Sequence, residues 1–268
     1  MENLLKMNPD NAKRILIKIG TATITKNEHL DKNWMREKVH EIAGLQKEGR
    51  EIIIVSSGAV GAGMSIERLH KRPSDLLKLQ LLSGKGQPVL HNTYREFFAI
   101  EGIQVIQVLL THHNFSSADE EGNIRNVING ALKEKTIPII NTNDVVTKEE
   151  FTGTNINVFT DNDELAALVA ANMEADLLLI LTDVEGLYSK DPKQHDEASL
   201  IHEVSRITPE IEAMAKKEKT KMGMGGMYSK IQAAKAVAGK GIFTIVANGC
   251  YSIKDILSNK APRTLFIA

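Results

Sequence analysis

Cysteine and long apolar runs are scarce in this sequence, and it carries almost no net charge. The single cysteine, Cys250, excludes an intramolecular disulfide. A formal net charge of -1 at pH 7 gives no general field that would attract nucleic acid or an anionic membrane. Residues 1–6 lack the apolar stretch of a signal peptide, and the apolar run at 177–181 has only the length of a strand. We therefore expect a cytoplasmic protein whose partners are small molecules or other proteins.

Short β-branched or leucine-rich runs alternate with longer helix-like stretches along the 268 residues. This alternation predicts an α/β fold built from βαβ units, with a largely parallel sheet that is covered on both faces. The predicted strands are 14–19, 51–55, 103–109, 137–140, 177–181, 242–246 and 264–267. The composition is that of an ordinary globular protein, and we expect one large domain over 1–268.

Three of the predicted helices have recognisable ends. Residues 32–48 follow Asp31, residues 163–173 follow a capping candidate at 161 or 162, and residues 228–239 follow a glycine-rich segment. Neither a repeat nor a linker of low complexity interrupts the chain. The least regular stretches are 111–122 and 145–159, which we interpret as long loops that carry specificity or as plain surface insertions.

Two lysines lie in glycine-bearing segments at opposite ends of the chain. Lys18 is near the end of the first predicted strand, where a lysine is expected to leave the core toward a ligand crevice. Lys230 ends the segment Gly-Met-Gly-Gly-Met-Tyr-Ser-Lys, and a glycine-rich helix start with a lysine suits a phosphate. With the acidic run 160–164, these features predict phosphoryl transfer. The alternatives are a solvated lysine on an edge strand and a flexible glycine connection.

A second candidate anion site follows the second predicted strand. There an apolar run leads into Ser56, Ser57 and Gly58, small residues that open a helix with free backbone amides. Alternatively, Gly61 and Gly63 serve only the close packing of helices. The spacing fits neither a Walker A loop nor a dinucleotide-binding fingerprint.

Three further polar clusters lie at strand ends or helix starts. Residues 141–144 offer amides and an acid for the charged groups of an amino acid, or else form a turn. The acids within 160–164 either cap a helix or face magnesium, a substrate ammonium or the lysines. Thr182 and Asp183 end a strongly apolar strand at its ligand-facing end. The histidines at 112–113 have no matching ligands nearby and are interpreted as neutral surface residues.

In their order along the chain, these motifs closely resemble those of the glutamate 5-kinases, within the amino acid kinase family. The resemblance spans nearly the whole chain and rests on Ile-Lys-Ile-Gly-Thr, Ile-Val-Ser-Ser-Gly-Ala-Val-Gly-Ala-Gly, Ile-Pro-Ile-Ile-Asn-Thr-Asn-Asp, Asp-Asn-Asp-Glu-Leu-Ala-Ala, Leu-Thr-Asp-Val-Glu-Gly-Leu-Tyr and Gly-Gly-Met-x-x-Lys. It implies a three-layer α/β/α sandwich with an open, mainly parallel sheet. It also implies ATP-dependent phosphorylation of the L-glutamate side-chain carboxylate to γ-glutamyl phosphate, the first step of proline biosynthesis.

The resemblance also implies a division of the site into a glutamate side and a nucleotide side. Residues assigned to the glutamate side are Ser57, Gly58, Asp144, Asp161 and Asn162. Residues assigned to ATP are Lys18, Thr182, Asp183, Met224, Gly225, Gly226, Met227, Tyr228, Ser229 and Lys230. Lys18 and Lys230 would offset charge on the transferring group, with Asp163 holding them in position. Magnesium is expected with ATP, without protein ligands assigned to it.

Some motifs depart from the common bacterial pattern and are similar to those in the kinase half of the pyrroline-5-carboxylate synthases. The segment between Asp144 and Asp161 is longer than usual, which leaves the details of feedback inhibition by proline open. The resemblance further implies a dimer or tetramer, with contacts near 111–115, and a γ-glutamyl phosphate reductase as functional partner. Because the chain ends just after the last predicted strand, we expect no C-terminal PUA domain.

Two other functions remain open from the sequence. One is a member of the same family that phosphorylates aspartate, acetylglutamate or a nucleoside monophosphate. The other is a catalytically silent sensor of an amino acid or nucleotide. The motifs of the glutamate side argue against the first, and the presence of both lysines and the acids argues against the second.

Overall fold

The computed structural model describes residues 9–147, 162–192, 194–216 and 226–268. The strands are β1 (Arg14–Ile19), β2 (Thr25–Lys26), β3 (His29–Leu30), β4 (Glu51–Ser56), β5 (Val105–Leu110), β6 (Ile137–Thr142), β7 (Leu177–Thr182), β8 (Glu203–Val204), β9 (Phe243–Asn248) and β10 (Arg263–Phe266). The helices are α1 (Thr21–Ile24), α2 (Lys32–Lys47), α3 (Ala59–Ile66), α4 (Leu76–Ile100), α5 (Ala118–Lys133), α6 (Asn162–Asn172), α7 (Pro209–Lys216), α8 (Met227–Ala238) and α9 (Ile253–Leu257). Short 3-10 helices lie at Pro9–Asn11 and His112–Phe115.

Eight strands form one sheet in the order β5-β6-β4-β1-β7-β9-β10-β8, and β2 pairs with β3 separately. Neighbouring strands from β5 to β9 run parallel, whereas β10 runs antiparallel to β9. The chain builds one half of the sheet outward from β1 and then crosses to β7 on the other side of β1. Such a reversal opens a crevice at the carboxyl ends of the central strands, where ligands bind in open α/β sheets.

Side chains of the central strands alternate between two cores. Ile15, Ile17 and Ile19 pack on one face with residues of α2, α4 and α9, whereas Leu16 packs on the other face with α5, α6 and α8. Because successive side chains of a strand point to opposite faces, Lys18 shares the face of Leu16. The sheet therefore lies between two helical layers, which confirms the predicted three-layer architecture.

The predicted strands and the three bounded helices all appear within about two residues of their expected ends. One interpretation was wrong: residues 118–122 are not a loop but the start of α5. The acids Asp119, Glu120 and Glu121 lie in its first turn, where negative charge favours the helix dipole, so their polarity does not indicate a loop. Most of the other irregular stretch, 145–159, lies outside the described residues. Within the described ranges, no helix is long and apolar enough to cross a bilayer.

Helices α3 and α4 approach each other at backbone distance. A Cβ atom added at Gly86 would lie 1.9 Å from the Ala59 carbonyl oxygen, and one added at Gly63 would lie 2.0 Å from the Leu82 carbonyl oxygen. Close helix packing therefore accounts for Gly63. It also fixes the start of α3, which borders the polar pocket described below.

We expect Gly86→Ala to lower the free energy of unfolding by about 1–3 kcal/mol, because the added methyl overlaps backbone atoms of α3. Gly44→Ala is the matched control, since a Cβ atom there meets nothing within 4 Å. Gly44→Ala should raise the free energy of unfolding by about 0.5–1 kcal/mol through helix propensity. Urea unfolding of both variants measures these changes, and an equal effect of both would contradict the packing argument.

Candidate active site

One buried carboxylate joins the two lysines from opposite ends of the chain. Asp163 Oδ1 lies 2.6 Å from Lys18 Nζ, and Asp163 Oδ2 lies 3.1 Å from Lys230 Nζ. The Ser229 hydroxyl donates to the same Oδ2 at 2.7 Å. Asp163 is 0% exposed, and the lysines are 4% and 3% exposed. The three residues to which the sequence assigned catalysis thus meet at one point.

The fold explains this meeting. Lys18 points to the same face of the sheet as Leu16, and α6 and α8 pack on that face. Asp163 lies in the first turn of α6 and Lys230 in the first turn of α8, both near the carboxyl ends of the strands. The expectation that Lys18 leaves the core was wrong, because its charge is offset inside the protein by Asp163.

The lysines control the charge of Asp163. Burial by itself would raise the pKa of this carboxyl group. Attraction by Lys18 and Lys230, with hydrogen bonds from Lys18 and Ser229, outweighs burial and holds the pKa of Asp163 well below its ordinary value. The group is therefore an anion at neutral pH, which suits it to holding two ammonium groups rather than to moving a proton.

A network of buried amides and hydroxyls lies beside this cluster. Asn162 Nδ2 donates to Ser57 Oγ at 2.9 Å and to Asn141 Oδ1 at 3.1 Å. Thr142 Oγ1 donates to Asn162 Oδ1 at 2.9 Å, and Asn141 Nδ2 donates to Gln87 Oε1 at 2.8 Å. Because Asn162 and Asp163 are consecutive, the first turn of α6 links the network directly to the lysine cluster.

A polar pocket opens next to the network. Its lining residues are Thr21, Ser57, Gly58, Ala59, Val60, Gly61, Arg72, Asn141 and Asp144. Asp144 is buried and accepts a hydrogen bond from Ser83 Oγ at 2.6 Å. Gly58 precedes α3 with φ of 111°, a left-handed conformation that suits glycine. None of the side chains that the structure describes caps this helix start. The pocket thus combines a carboxylate with an arginine and a helix start.

Apart from Lys18 in β1, the described residues assigned to the nucleotide lie at the end of β7 and at the start of α8. Thr182 is buried and donates to Asp183 Oδ1 at 3.2 Å, while Asp183 itself is exposed. Gly226 precedes the first turn of α8, which contains Met227, Tyr228 and Ser229. Met227 is buried and Tyr228 is partly exposed. Asp161, Met224 and Gly225, which the sequence also assigned to the site, lie outside the described residues.

Sequence reasoning missed the contribution of helix α4. Ser83, Gln87 and Tyr94 lie along one side of it, at spacings of four and seven residues. They bond Asp144, Asn141 and Ser56 respectively, the last through a contact of 2.9 Å between hydroxyl groups. Burial raises the pKa of the Tyr94 hydroxyl, so it stays neutral. The sequence signal that could have indicated this contribution is a line of polar residues in a helix that also buries leucine and phenylalanine side chains.

The interpretation of both histidines as surface residues fits His113, which is exposed, but only in part His112. Its Nε2 lies 2.8 Å from Glu164 Oε2, and its side chain is only 17% exposed. The contact follows from the fold, since Glu164 continues the first turn of α6 and His112 follows β5. Arg72 was absent from the sequence-predicted site, because nothing in its local sequence marks it. Thr21 belongs to the first motif, Ile-Lys-Ile-Gly-Thr, but was not assigned a role.

Comparison with known proteins finds relatives over most of the chain. The model of the amino acid kinase family matches residues 13–248. A glutamate 5-kinase of Thermoanaerobacter sp. (strain X514) is 42% identical over 92% of this chain, and the chain spans 65% of that relative's length. A glutamate 5-kinase of Ligilactobacillus salivarius (strain UCC118) is 37% identical over 99% of both chains.

Solved structures share the fold at lower identity. Carbamate kinase from Giardia lamblia bound to AMP-PNP superposes with a TM-score of 0.65 at 17% identity, over 96% of this chain and 99% of that one. An isopentenyl phosphate kinase superposes with a TM-score of 0.63 at 17% identity, over 94% and 99% of the two chains. At this level of identity, the likeness concerns the arrangement of the sheet and helices.

We expect Asp163→Asn to lower the free energy of unfolding at pH 7 by about 3–5 kcal/mol, because it leaves two buried ammonium groups without their carboxylate. The pKa of Asp163 is lower in the folded state than in the unfolded state. Its carboxylate therefore stabilises the folded protein fully above the unfolded-state pKa, and this stabilisation declines as pH falls below about 4. Urea unfolding at a series of pH values measures the difference in free energy of unfolding between the wild type and the variant. This difference should be constant from pH 7 to 5 and should become smaller below pH 4. Glu203→Gln, at an exposed acid, is the control. A gap that widens on acidification would contradict the assigned charge state.

Proposed function

We propose, from the premise that this chain belongs to the amino acid kinase family, that it transfers the γ-phosphoryl group of ATP to the side-chain carboxylate of L-glutamate. The products are γ-glutamyl phosphate and ADP. The observation that carries the proposal is the convergence of Lys18 and Lys230 on Asp163, directly beside a polar pocket. The similarity to curated glutamate 5-kinases supports the choice of acceptor.

The pocket supplies groups that suit an amino acid. Asp144 offers a carboxylate for the ammonium group, and its hydrogen bond from Ser83 fixes its orientation. Ser57 and Gly58 line the same pocket, and Asn162, next to Asp163 in the chain, donates a hydrogen bond to Ser57. In this arrangement the side-chain carboxylate of glutamate points toward Lys18 and Lys230, and its amino acid end remains near Asp144.

The lysine cluster and the start of α8 suit the phosphates of ATP. Lys18 and Lys230 are cations already held in place by a common carboxylate, so little reorganisation is needed as charge shifts during the reaction. Among the described residues, no side chain caps the first turn of α8, whose backbone amides lie at an anion-favouring helix end. We assign Thr182 and Asp183, at the end of β7, to the nucleotide side of this site.

The chemistry needs position and charge compensation more than proton transfer. An oxygen of the glutamate carboxylate attacks the γ-phosphorus in line, the bond from that phosphorus to the bridging oxygen breaks, and ADP leaves with the electron pair. The attacking carboxylate is already ionised at neutral pH, so it needs no general base. Lys18 and Lys230 stabilise the transferring group, and Asp163 positions both lysines.

Magnesium is proposed as the cofactor of ATP. The described residues contain no group of three acidic, histidine or cysteine side chains arranged to hold a metal ion. Magnesium in phosphoryl transfer is commonly held by phosphate oxygens, water and only one or two carboxylates. The described residues are therefore compatible with a magnesium ion that binds together with the nucleotide. When bound, the ion neutralises phosphate charge.

Several wider roles belong to the same proposal. A cytoplasmic enzyme that makes γ-glutamyl phosphate carries out the first step of proline biosynthesis, and proline is a candidate feedback inhibitor. An acyl phosphate is labile, so a γ-glutamyl phosphate reductase is the proposed functional partner. We also propose a homo-oligomer, either a dimer or a tetramer.

The acceptor profile tests the proposed function. With ATP and magnesium, we expect ADP release with L-glutamate to exceed that with aspartate, acetylglutamate or a nucleoside monophosphate by at least about 100-fold, since each wrong acceptor leaves polar groups of the pocket unpaired. Hydroxylamine trapping of the acyl phosphate identifies the product independently. Chelation of magnesium should abolish turnover. Preference for another acceptor would reject glutamate as the substrate, and binding without turnover would indicate a silent sensor.

We expect Lys230→Gln to lower kcat for glutamate by about 100- to 1000-fold, a typical loss when one group that stabilises developing charge is removed. Lys235→Gln is the matched control, because Lys235 lies on the same helix but is exposed and pairs with Glu212 outside the site. Steady-state kinetics of ADP release compare the two. Equal losses in both variants would contradict the proposed role of Lys230.

A further inference from the structure

Glutamate carries three charged groups, and the residues assigned so far account for two of them. The reacting carboxylate is directed at Lys18 and Lys230, and the ammonium group at Asp144. The remaining α-carboxylate has no cationic partner among the assigned residues, since Ser57, Gly58 and Asn162 are neutral. Burying a carboxylate without a compensating charge or hydrogen bonds is costly.

Arg72 is the cationic residue that lines the pocket proposed for the amino acid. It is half-buried and lines the same pocket as Ser57, Gly58 and Asp144. Of the described residues that line this pocket, Arg72 carries the only positive charge. A guanidinium group binds a carboxylate through two parallel hydrogen bonds, which gives both affinity and orientation.

The segment that carries Arg72 is anchored at both ends. Glu67, just after α3, pairs with Lys78 and Lys85 of α4. Asp75 caps α4 by accepting a hydrogen bond from the Lys78 backbone at 2.8 Å. Pro73 restricts the backbone next to Arg72. The arginine is therefore presented to the pocket from a connection whose ends are fixed.

We infer that Arg72 binds the α-carboxylate of the amino acid substrate and, with Asp144, makes the site specific for a complete α-amino acid. This inference rests on the proposed function and assigns a specificity-determining residue to its pocket. Asp144 binds the ammonium group and Arg72 binds the α-carboxylate, while the reacting carboxylate remains at the lysines.

Two analogues separate the roles of the charged groups. The first analogue, 4-aminobutyrate, is glutamate without the α-carboxylate. The second, glutarate, is glutamate without the ammonium group. We expect Arg72→Gln to lower kcat/KM for glutamate and glutarate by about 10- to 100-fold, mainly through KM, as the loss of a charge-assisted contact predicts. The same variant should leave 4-aminobutyrate within about two-fold of wild type, because that analogue never made the contact.

Asp144→Asn provides the reciprocal comparison. It should lower kcat/KM for glutamate and 4-aminobutyrate but not for glutarate. Lys71→Gln is the matched control, because Lys71 is the exposed neighbour of Arg72 and lies outside the pocket lining. Lys71→Gln should leave kcat/KM unchanged for all three acceptors. Inhibition constants of the two analogues against glutamate give the same comparison without requiring their turnover, and thermal unfolding checks that each variant is folded.

The possible outcomes distinguish this inference from the function on which it rests. A wild-type protein that phosphorylates none of the acceptors would contradict the proposed function itself. Wild-type activity on glutamate with an unchanged KM in Arg72→Gln would contradict only the role of Arg72, and would leave the α-carboxylate to the backbone amides of α3. Equal losses for glutamate and 4-aminobutyrate would also overturn the role, because they would show general damage to the pocket.

Discussion

The contact of Asp163 with Lys18 and Lys230 is the constraint on which the rest of the site depends. Two ammonium groups that are almost fully buried require an anion at hydrogen-bonding distance, because water does not solvate them there. Meeting this requirement aligns the end of β1 with the first turns of α6 and α8. The same carboxylate therefore joins segments that are far apart in the chain.

The amide network and the pocket depend on that alignment. Asn162 precedes Asp163 in the first turn of α6, so fixing one residue also fixes the other. Asn162 then donates hydrogen bonds to Ser57, which follows β4, and to Asn141, next to the last residue of β6. From the opposite helical layer, α4 holds this arrangement through hydrogen bonds of Ser83, Gln87 and Tyr94 with Asp144, Asn141 and Ser56, respectively. The close contact of α3 and α4 positions the remaining wall of the pocket.

Most of the sheet could be predicted from local sequence, because buried parallel strands are continuous β-branched or leucine-rich runs whose side chains all require burial. The start of α5 was misread, since its acids are equally typical of a loop. Arg72 and Gln87 could not be found in this way. Each resembles an ordinary polar residue of a connection or a helix, and only its place opposite strand ends gives it a role.

The pattern of strands and helices and the order of the glycine, lysine and acidic motifs follow from the amino-acid sequence alone, and these motifs indicate the family. Tertiary structure decided which of these motifs meet. It buried Lys18 instead of exposing it, paired His112 with Glu164, and brought Arg72 to the same pocket as Asp144. The physical reason is that local sequence sets which groups must be buried or hydrogen-bonded, whereas the partner that offsets each buried charge comes from a distant part of the chain.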